Sequence, residues 1–261
     1  MIIVLHIQKT GGTSFRSILE QNFGCSNCHS NQTRRDLFSL EDFEFAKRIF
    51  PHLRSIGGHN LVDPLRFTAP DPFYATFLRE PVARVISHYQ DTVLRGTNKM
   101  NFEESLQKHS HLNNWQVKLM AGEEDLDKAK RFLERCSFIG LTDRFDLSLQ
   151  VLERLAPCKL DLRYKRLIVA KDKKLQQSLQ NDERMVKLAR EHNKLDTELY
   201  QFAVNEVFPK LCQKAGINPA DKVTSYESST NDLWLRFQLG RWYNRLVFRQ
   251  LCKIRYKFNL A

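Results

Sequence analysis

"HIQKTGGTSF", His6 to Phe15, follows directly on the apolar run "MIIVL". That run is short, β-branched and stopped by a glycine turn, so Ile2 to Ile7 predicts a buried strand. Beyond the turn, Phe15, Ile18, Leu19 and Phe23 recur at helical spacing, with Thr13 or Ser14 as the cap. Strand, glycine-rich loop and helix in this order make a phosphate cradle. Successive N–H groups from Thr10 to Ser14, approachable because of Gly11 and Gly12, form an anion nest at the positive end of a helix. The lysine stands in an unusual place. In the nucleoside-triphosphatase loop, G-x-x-x-x-G-K-[ST], it comes after the glycines; here Lys9 comes before both. No acidic strand that would hold magnesium lies nearby. A metal-free cradle with a leading lysine suits a ligand with one phosphate, activated by an attached group.

A second constellation is "FLREPVARVISHY", Phe77 to Tyr89. Arg79 ends an apolar strand, and Ser87 lies two turns into the helix that follows. A guanidinium and a hydroxyl so placed clamp a second phosphate. The plain alternative is an arginine that caps and pairs at a strand end.

The rest of the chain alternates strand and helix. Ser39 caps a helix that runs to Phe50, and "RSIGGHNLV" is a short strand ending in a Gly-Gly-His turn. Phe73 to Leu78 is a third strand, followed by a helix that Gly96 closes. Asn101 caps a short helix, "NNWQVKLMAG" and "EEDLDKAKRFLERC" continue helically, and "SFIGLTDRF" is a fourth strand before a helix from Asp146 to Leu155. Residues 24 to 40 read as polar turns, and Lys171 to Asp182 as a polar surface segment. One or two helices then run to Gly216. The pattern predicts an α/β, P-loop-like three-layer fold: a central parallel sheet flanked by helices in residues 1–216, plus a C-terminal helical extension, 217–261.

These segments together resemble the sulfotransferases that use 3′-phosphoadenosine 5′-phosphosulfate (PAPS), and among them heparan sulfate 6-O-sulfotransferases most of all. "HIQKTGGTSF" is similar to their 5′-phosphosulfate loop and "LREPVARVISHY" to their 3′-phosphate motif. "FYATFLREPVARVISHYQDTVLRG", "NNWQVKLMAG", "SFIGLTDRFDLSLQVLERL" and "NKLDTELYQFA" match further segments in the same order, from about residue 2 to 212. The resemblance implies PAPS as co-substrate, bound by Lys9, Thr10, Gly11, Gly12, Thr13, Ser14, Arg79 and Ser87, with Thr142 near the adenine and no metal. It implies His59 as the base that deprotonates an acceptor hydroxyl, a task that suits a histidine near neutral pH. Lys9 would also neutralise charge on the leaving oxygen. Asn113 and Gln116 fall in a segment near the acceptor, and Trp115 could stack on a sugar; helix cap, solvated amide and core tryptophan are the plain readings. The other histidines have weaker claims: His6 is structural, and His88 should point to another helix face than Ser87. Animal members begin with a membrane anchor and carry a cysteine-containing insertion between the positions of Gly96 and Asn113. This chain starts at the first strand and is shorter there. A compact, cytoplasmic, bacterial relative acting on a polysaccharide, oligosaccharide or glycolipid is expected.

Charge and cysteines narrow the field. The net charge is +11, and Asn231 to Ala261 holds seven basic residues and one acid, so that tail carries +6 and the body +5. A mildly basic body fits an anionic ligand; no nucleic-acid-reading motif accompanies the tail. Leu235, Leu239, Trp242, Leu246 and Val247 lie at helical spacing beside an Arg241, Arg245, Arg249, Lys253 stripe. Such a helix either lies on the inner face of an anionic membrane or docks its apolar face on the body or on a second subunit. "CSNCH" matches a c-type haem attachment pattern, but without an export signal it reads as a polar loop with two reduced thiols. The two rival functions are a nucleotide kinase, which needs the lysine after the glycines, and a non-catalytic nucleotide- or membrane-binding module.

Overall fold

The computed structural model describes residues 1–50, 52–165, 174–220, 223–228 and 234–258. The start of the expected polar stretch (171–173) and both ends of the basic tail (231–233 and 259–261) lie outside them.

Five strands form one parallel sheet in the order β2-β3-β1-β4-β5: β1 (Ile2–Leu5), β2 (Asn27–His29), β3 (Ser55–Gly58), β4 (Phe73–Leu78) and β5 (Phe138–Leu141). The central strand β1 reads Ile-Ile-Val-Leu and is buried throughout, as a strand covered on both faces must be. Between strands run α1 (Gly12–Phe23), α2 (Leu40–Ile49), α3 (Pro81–Leu94), α4 (Phe102–Lys108), α5 (Trp115–Ala121) and α6 (Leu126–Arg135). After β5 come α7 (Phe145–Leu155), α8 (Lys174–Asn181), α9 (Glu183–Glu191), α10 (Lys194–Phe202) and α11 (Phe208–Lys214), and then the tail helices α12 (Trp234–Trp242) and α13 (Arg249–Phe258). The expected α/β architecture, a parallel sheet flanked by helices with helices at the C-terminal end, is what the chain adopts. Phe15 of α1 packs its ring 5.1 Å from Phe77 of β4 and 6.1 Å from Phe138 of β5, which seats α1 on the sheet.

The sequence signals for helix ends are met in full at two places. Ser39 with Asp42, and Asn101 with Glu104, each close a reciprocal capping box. Gly96 stands just past α3 with φ +68°, the left-handed residue that ends it.

Three expectations change. Residues 27–29, expected as turn, form the edge strand β2, and Cys28 is buried there rather than displayed in a polar loop. Lys174 to Asn181, expected as a surface segment, is the helix α8, whose Leu179 joins α3 and α9 in a small apolar cluster. The tail docks on the body, but not through its apolar face. Gly240, Asn244, Phe248, Cys252 and Arg255 are the buried positions, while Leu235, Leu239, Trp242 and Leu246 stay exposed. A methyl group on Gly240 would lie 2.5 Å from the Gly24 carbonyl oxygen, so two glycines let α12 cross the end of α1 at backbone distance. Asn244 then completes the edge strand. Its Oδ1 accepts from the His29 N–H at 2.8 Å, and its Nδ2 donates to the Asn27 carbonyl at 2.8 Å. At the other end of the tail, Asp42 takes Arg255 at 3.0 Å and the Tyr256 hydroxyl at 2.7 Å.

Asn244→Ala leaves both β2 groups without their partner. It is expected to cost about 1–3 kcal/mol, which for a chain of this size lowers the melting temperature by roughly 2–4 °C for each kcal/mol. An unchanged melting temperature by differential scanning calorimetry would show that the tail does not hold the edge strand.

Candidate active site

Four neighbouring strands deliver their residues to one edge of the sheet. His59 follows the last residue of β3, Lys9 stands four residues past β1, Arg79 follows β4 and Thr142 follows β5. The carboxyl ends of parallel strands, where the order reverses about β1, are where such sheets bind ligands.

The loop after β1 turns its carbonyl groups inward. Ile7 O accepts from the Thr10 hydroxyl at 2.9 Å, Lys9 O from Arg79 Nη1 at 3.1 Å, and Gly11 O from the N–H of Ser14 at 3.1 Å. The Thr142 hydroxyl lies 2.8 Å from Thr10 O and 2.9 Å from Leu78 O, and its single proton serves one of them at a time. Helix α1 begins at Gly12, not at Phe15, with Gly11 as its N-cap at φ +80°. Neither Thr13 nor Ser14 caps it; both stand half-buried in its first turn, which contains no acidic residue. The positive helix end therefore keeps the N–H groups of Gly12 and Thr13 for an anion, with no side chain capping them. Gly12 is required by space, because a methyl group there would lie 1.9 Å from the His6 ring.

Lys9 sits at φ +68°, a left-handed conformation seldom taken by residues with a side chain. Its Nζ is 3.5 Å from Asp91 of α3, which also takes Arg95 at 3.1 Å. Burial holds the Lys9 amine below the usual lysine range, and Asp91 pulls it partly back. Burial likewise lowers Arg79, against the pull of Glu80, Asp143 and Tyr200.

His59 is held in one tautomer. Its Nδ1 lies 2.6 Å from the His6 carbonyl oxygen. A carbonyl only accepts, so the neutral ring carries its proton on Nδ1 and keeps the Nε2 lone pair. Burial lowers its pKa, the His6 carbonyl raises it and Arg16 lowers it, with a net shift downward. The neutral form, the one able to take a proton, prevails at neutral pH. The Asn31 side chain fixes the His59 backbone N–H at 2.9 Å.

The other expected residues have definite places. Ser87 lies half-buried one turn before Asp91 on α3, on the face that meets Lys9. Thr10 is fully buried, its hydroxyl donating to Ile7 O and its carbonyl facing the Thr142 hydroxyl, so it shapes the loop from within. Gln116 is fully buried as well. Its Oε1 accepts from the Arg79 N–H at 3.2 Å and its Nε2 donates to the Arg79 carbonyl at 3.0 Å, so it positions Arg79 and has no amide group left for an acceptor. Asn113 donates to the Leu106 carbonyl at 2.7 Å. Trp115 donates to Gln8 Oε1 at 2.6 Å, its ring half-buried beside His111.

Sequence reading missed Asp91, Gln8 and His88. The His88 ring lies 4.9 Å from that of His111, and Lys9 and His59 are near enough to contribute to a lowered pKa. Burial is the main cause, and the ring titrates at about 3. The signal for Asp91 was its place one turn after Ser87 on the same helix face.

The family model described as "Sulfotransferase family" matches residues 1–193, three quarters of the chain. The chain belongs to the sulfotransferase family. Its chemistry is therefore the transfer of a sulfuryl group. No curated protein sequence matches it. Among solved structures, it is similar to the sulfotransferase from Alicyclobacillus acidocaldarius, with 14% identity over 97% of this chain and 95% of that one, at a TM-score of 0.33. That likeness is too slight to transfer residue roles to this sulfotransferase.

Burial also sets an acid limit on the fold. His29 accepts from Arg16 Nη1 at 3.2 Å and titrates at about 3, His88 likewise at about 3, and His6 is held well below its ordinary value. The unfolded chain protonates these rings near 6.5 and the folded chain does not. Stability is therefore full above about pH 6.5 and falls below it, by about 1.4 kcal/mol per pH unit for each ring. Glu20 and Asp196, raised by burial, offset part of this loss. The melting temperature should drop markedly between pH 7.5 and pH 5.5; a constant or rising value would contradict the burial of these rings as neutral groups.

Proposed function

We propose that this chain transfers the sulfuryl group of PAPS to a hydroxyl of a carbohydrate acceptor, with His59 as general base and Lys9 at the leaving oxygen. The observation that carries the reading is the single tautomer of His59, set at the same sheet edge as an uncapped helix end, a lysine and an arginine. PAPS supplies the sulfuryl group and departs as 3′,5′-adenosine bisphosphate. The chain's residues fit such a ligand: α1 offers free N–H groups with no acid beside them, and Lys9 and Arg79 supply positive charge.

The roles follow from the groups. His59 Nε2 accepts the acceptor's hydroxyl proton as the oxygen attacks sulfur, while the bond from sulfur to the phosphate oxygen breaks. Lys9 and the α1 N–H groups stabilise the charge that grows on that oxygen, so Lys9 acts on the transition state more than on binding. Arg79, held by Gln116, and Ser87 on α3 are assigned to the 3′-phosphate. An open groove of about 480 Å³ beside the loop, lined by Thr142, Phe145, Leu147 and Tyr164, is assigned to the nucleoside. The likeness of "NNWQVKLMAG" and its neighbours to heparan sulfate 6-O-sulfotransferases supports a sugar hydroxyl as acceptor, with Trp115 and His111 at that side of the site.

Calorimetric titration with 3′,5′-adenosine bisphosphate and with ATP, chelator present, tests the donor: tighter binding of the bisphosphate is expected, and a preference for ATP would overturn the reading. Arg79→Ala and Ser87→Ala should weaken the bisphosphate far more than 5′-AMP, whereas equal losses would place the second phosphate elsewhere. Once an acceptor is in hand, His59→Ala should lower turnover by about 10²–10⁴-fold with nucleotide binding intact. Lys9→Ala should lower it by about 10²–10³-fold.

A further inference from the structure

The tail helices leave a face that the body does not use. From Trp234 to Phe258 the chain is one continuous helical rod, α12 and α13 joined through a π-helical turn, Tyr243–Phe248. Leu235, Leu239, Trp242 and Leu246 are 65%, 49%, 56% and 53% exposed. At about 100° per residue they fall within one stripe roughly 60° wide. The π turn inserts an extra residue into the helical phase. Beyond it, the stripe continues through Ile254 and Phe258, which are 49% and 61% exposed, on the line that Lys253 and Lys257 would otherwise occupy. The opposite side of the rod is the docked one, with Gly240, Asn244, Phe248 and Cys252 buried.

Charge identifies what this face meets. No acidic residue occurs between Trp234 and Phe258. Arg241, Arg245, Lys253 and Lys257 are all exposed along one flank of the apolar stripe. We propose that this face of the C-terminal rod lies on an anionic lipid surface, apolar stripe in the headgroup boundary and basic flank on the lipid phosphates. A rod with a docked back, an apolar front containing tryptophan and a basic side has the geometry of an in-plane membrane helix. A second copy of the chain is the less suitable occupant. Around a two-fold axis it would bring the same row of cations toward the first set, whereas anionic lipid neutralises them. No helix among the described residues is long and apolar enough to cross a membrane, so the contact is peripheral.

Flotation of the full chain with phosphatidylcholine vesicles, with and without phosphatidylglycerol, tests this directly. Binding is expected to the anionic vesicles, about tenfold or more stronger than to the neutral ones, weakened by high salt and accompanied by a blue shift of tryptophan emission. Trp242→Asp with Leu246→Asp should abolish it, and Arg241→Glu with Arg245→Glu should weaken it by about tenfold or more. Because these side chains are exposed, circular dichroism and melting temperature of both variants should match the parent, which separates lost binding from lost folding. Absence of vesicle binding, or binding that ignores both pairs of substitutions, would overturn the proposal. So would a parent dimer, seen by sedimentation, that ignores vesicles and dissociates in Trp242→Asp with Leu246→Asp.

Discussion

The passage of Gly12 across the His6 ring is the constraint on which the site depends. No side chain fits at that point. The strand end, the loop and the start of α1 are thereby locked at contact distance. The His6 carbonyl, fixed by the same strand, then sets the tautomer of His59 from the neighbouring strand. Side chains from two more strand ends, Arg79 and Thr142, take up the carbonyls of Lys9 and Thr10. A loop whose carbonyls are bound inward presents mostly N–H groups outward. Its preference for anions is a property of backbone orientation first and of Lys9 second.

The charges around the loop form a short relay. Lys9 leans on Asp91, Asp91 also holds Arg95, and Arg79 is flanked by Glu80 and Asp143. Lys9 and Arg79 are half-buried, and each is partly neutralised by carboxylates that are themselves partly solvated. An arriving anion therefore competes with weak partners and meets no naked buried charge, which keeps the fold stable before binding and the field strong after it.

Periodicity made the sheet legible where apolar residues cluster, at β1, β4 and β5, while β3, Ser-Ile-Gly-Gly, was marked by the Gly-Gly-His turn at its end. β2 was hidden because Asn27, Cys28 and His29 carry no strand pattern; their pairing comes from β3 on one side and Asn244 on the other, 215 residues away in the case of His29. α8 was hidden because it is polar but for Leu175 and Leu179, which find their partners only once α3 and α9 are in place. In the site, the loop and His59 carried local signals. Gln116 did not, since an amide that braces the Arg79 backbone looks in sequence like any polar residue at the start of a helix. The docked face of the tail was misjudged for a similar reason: Gly240, Asn244 and Arg255 dock together with Phe248 and Cys252, whereas the stripe of Leu235, Leu239, Trp242 and Leu246 that suggests burial is turned outward.

The way the tail meets β2 bears on how the molecule keeps to itself. An edge strand carries a row of unmatched backbone groups that invite another chain to pair. Here one asparagine side chain, taking an N–H and giving to a carbonyl, imitates the next strand and closes that row. The rod therefore also works as a stopper, and a chain cut before Trp234, by a protease or by an early stop codon, would keep its glycine loop yet expose an adhesive margin. Aggregation rather than inactivation of the chemistry is then the failure to expect from losing it.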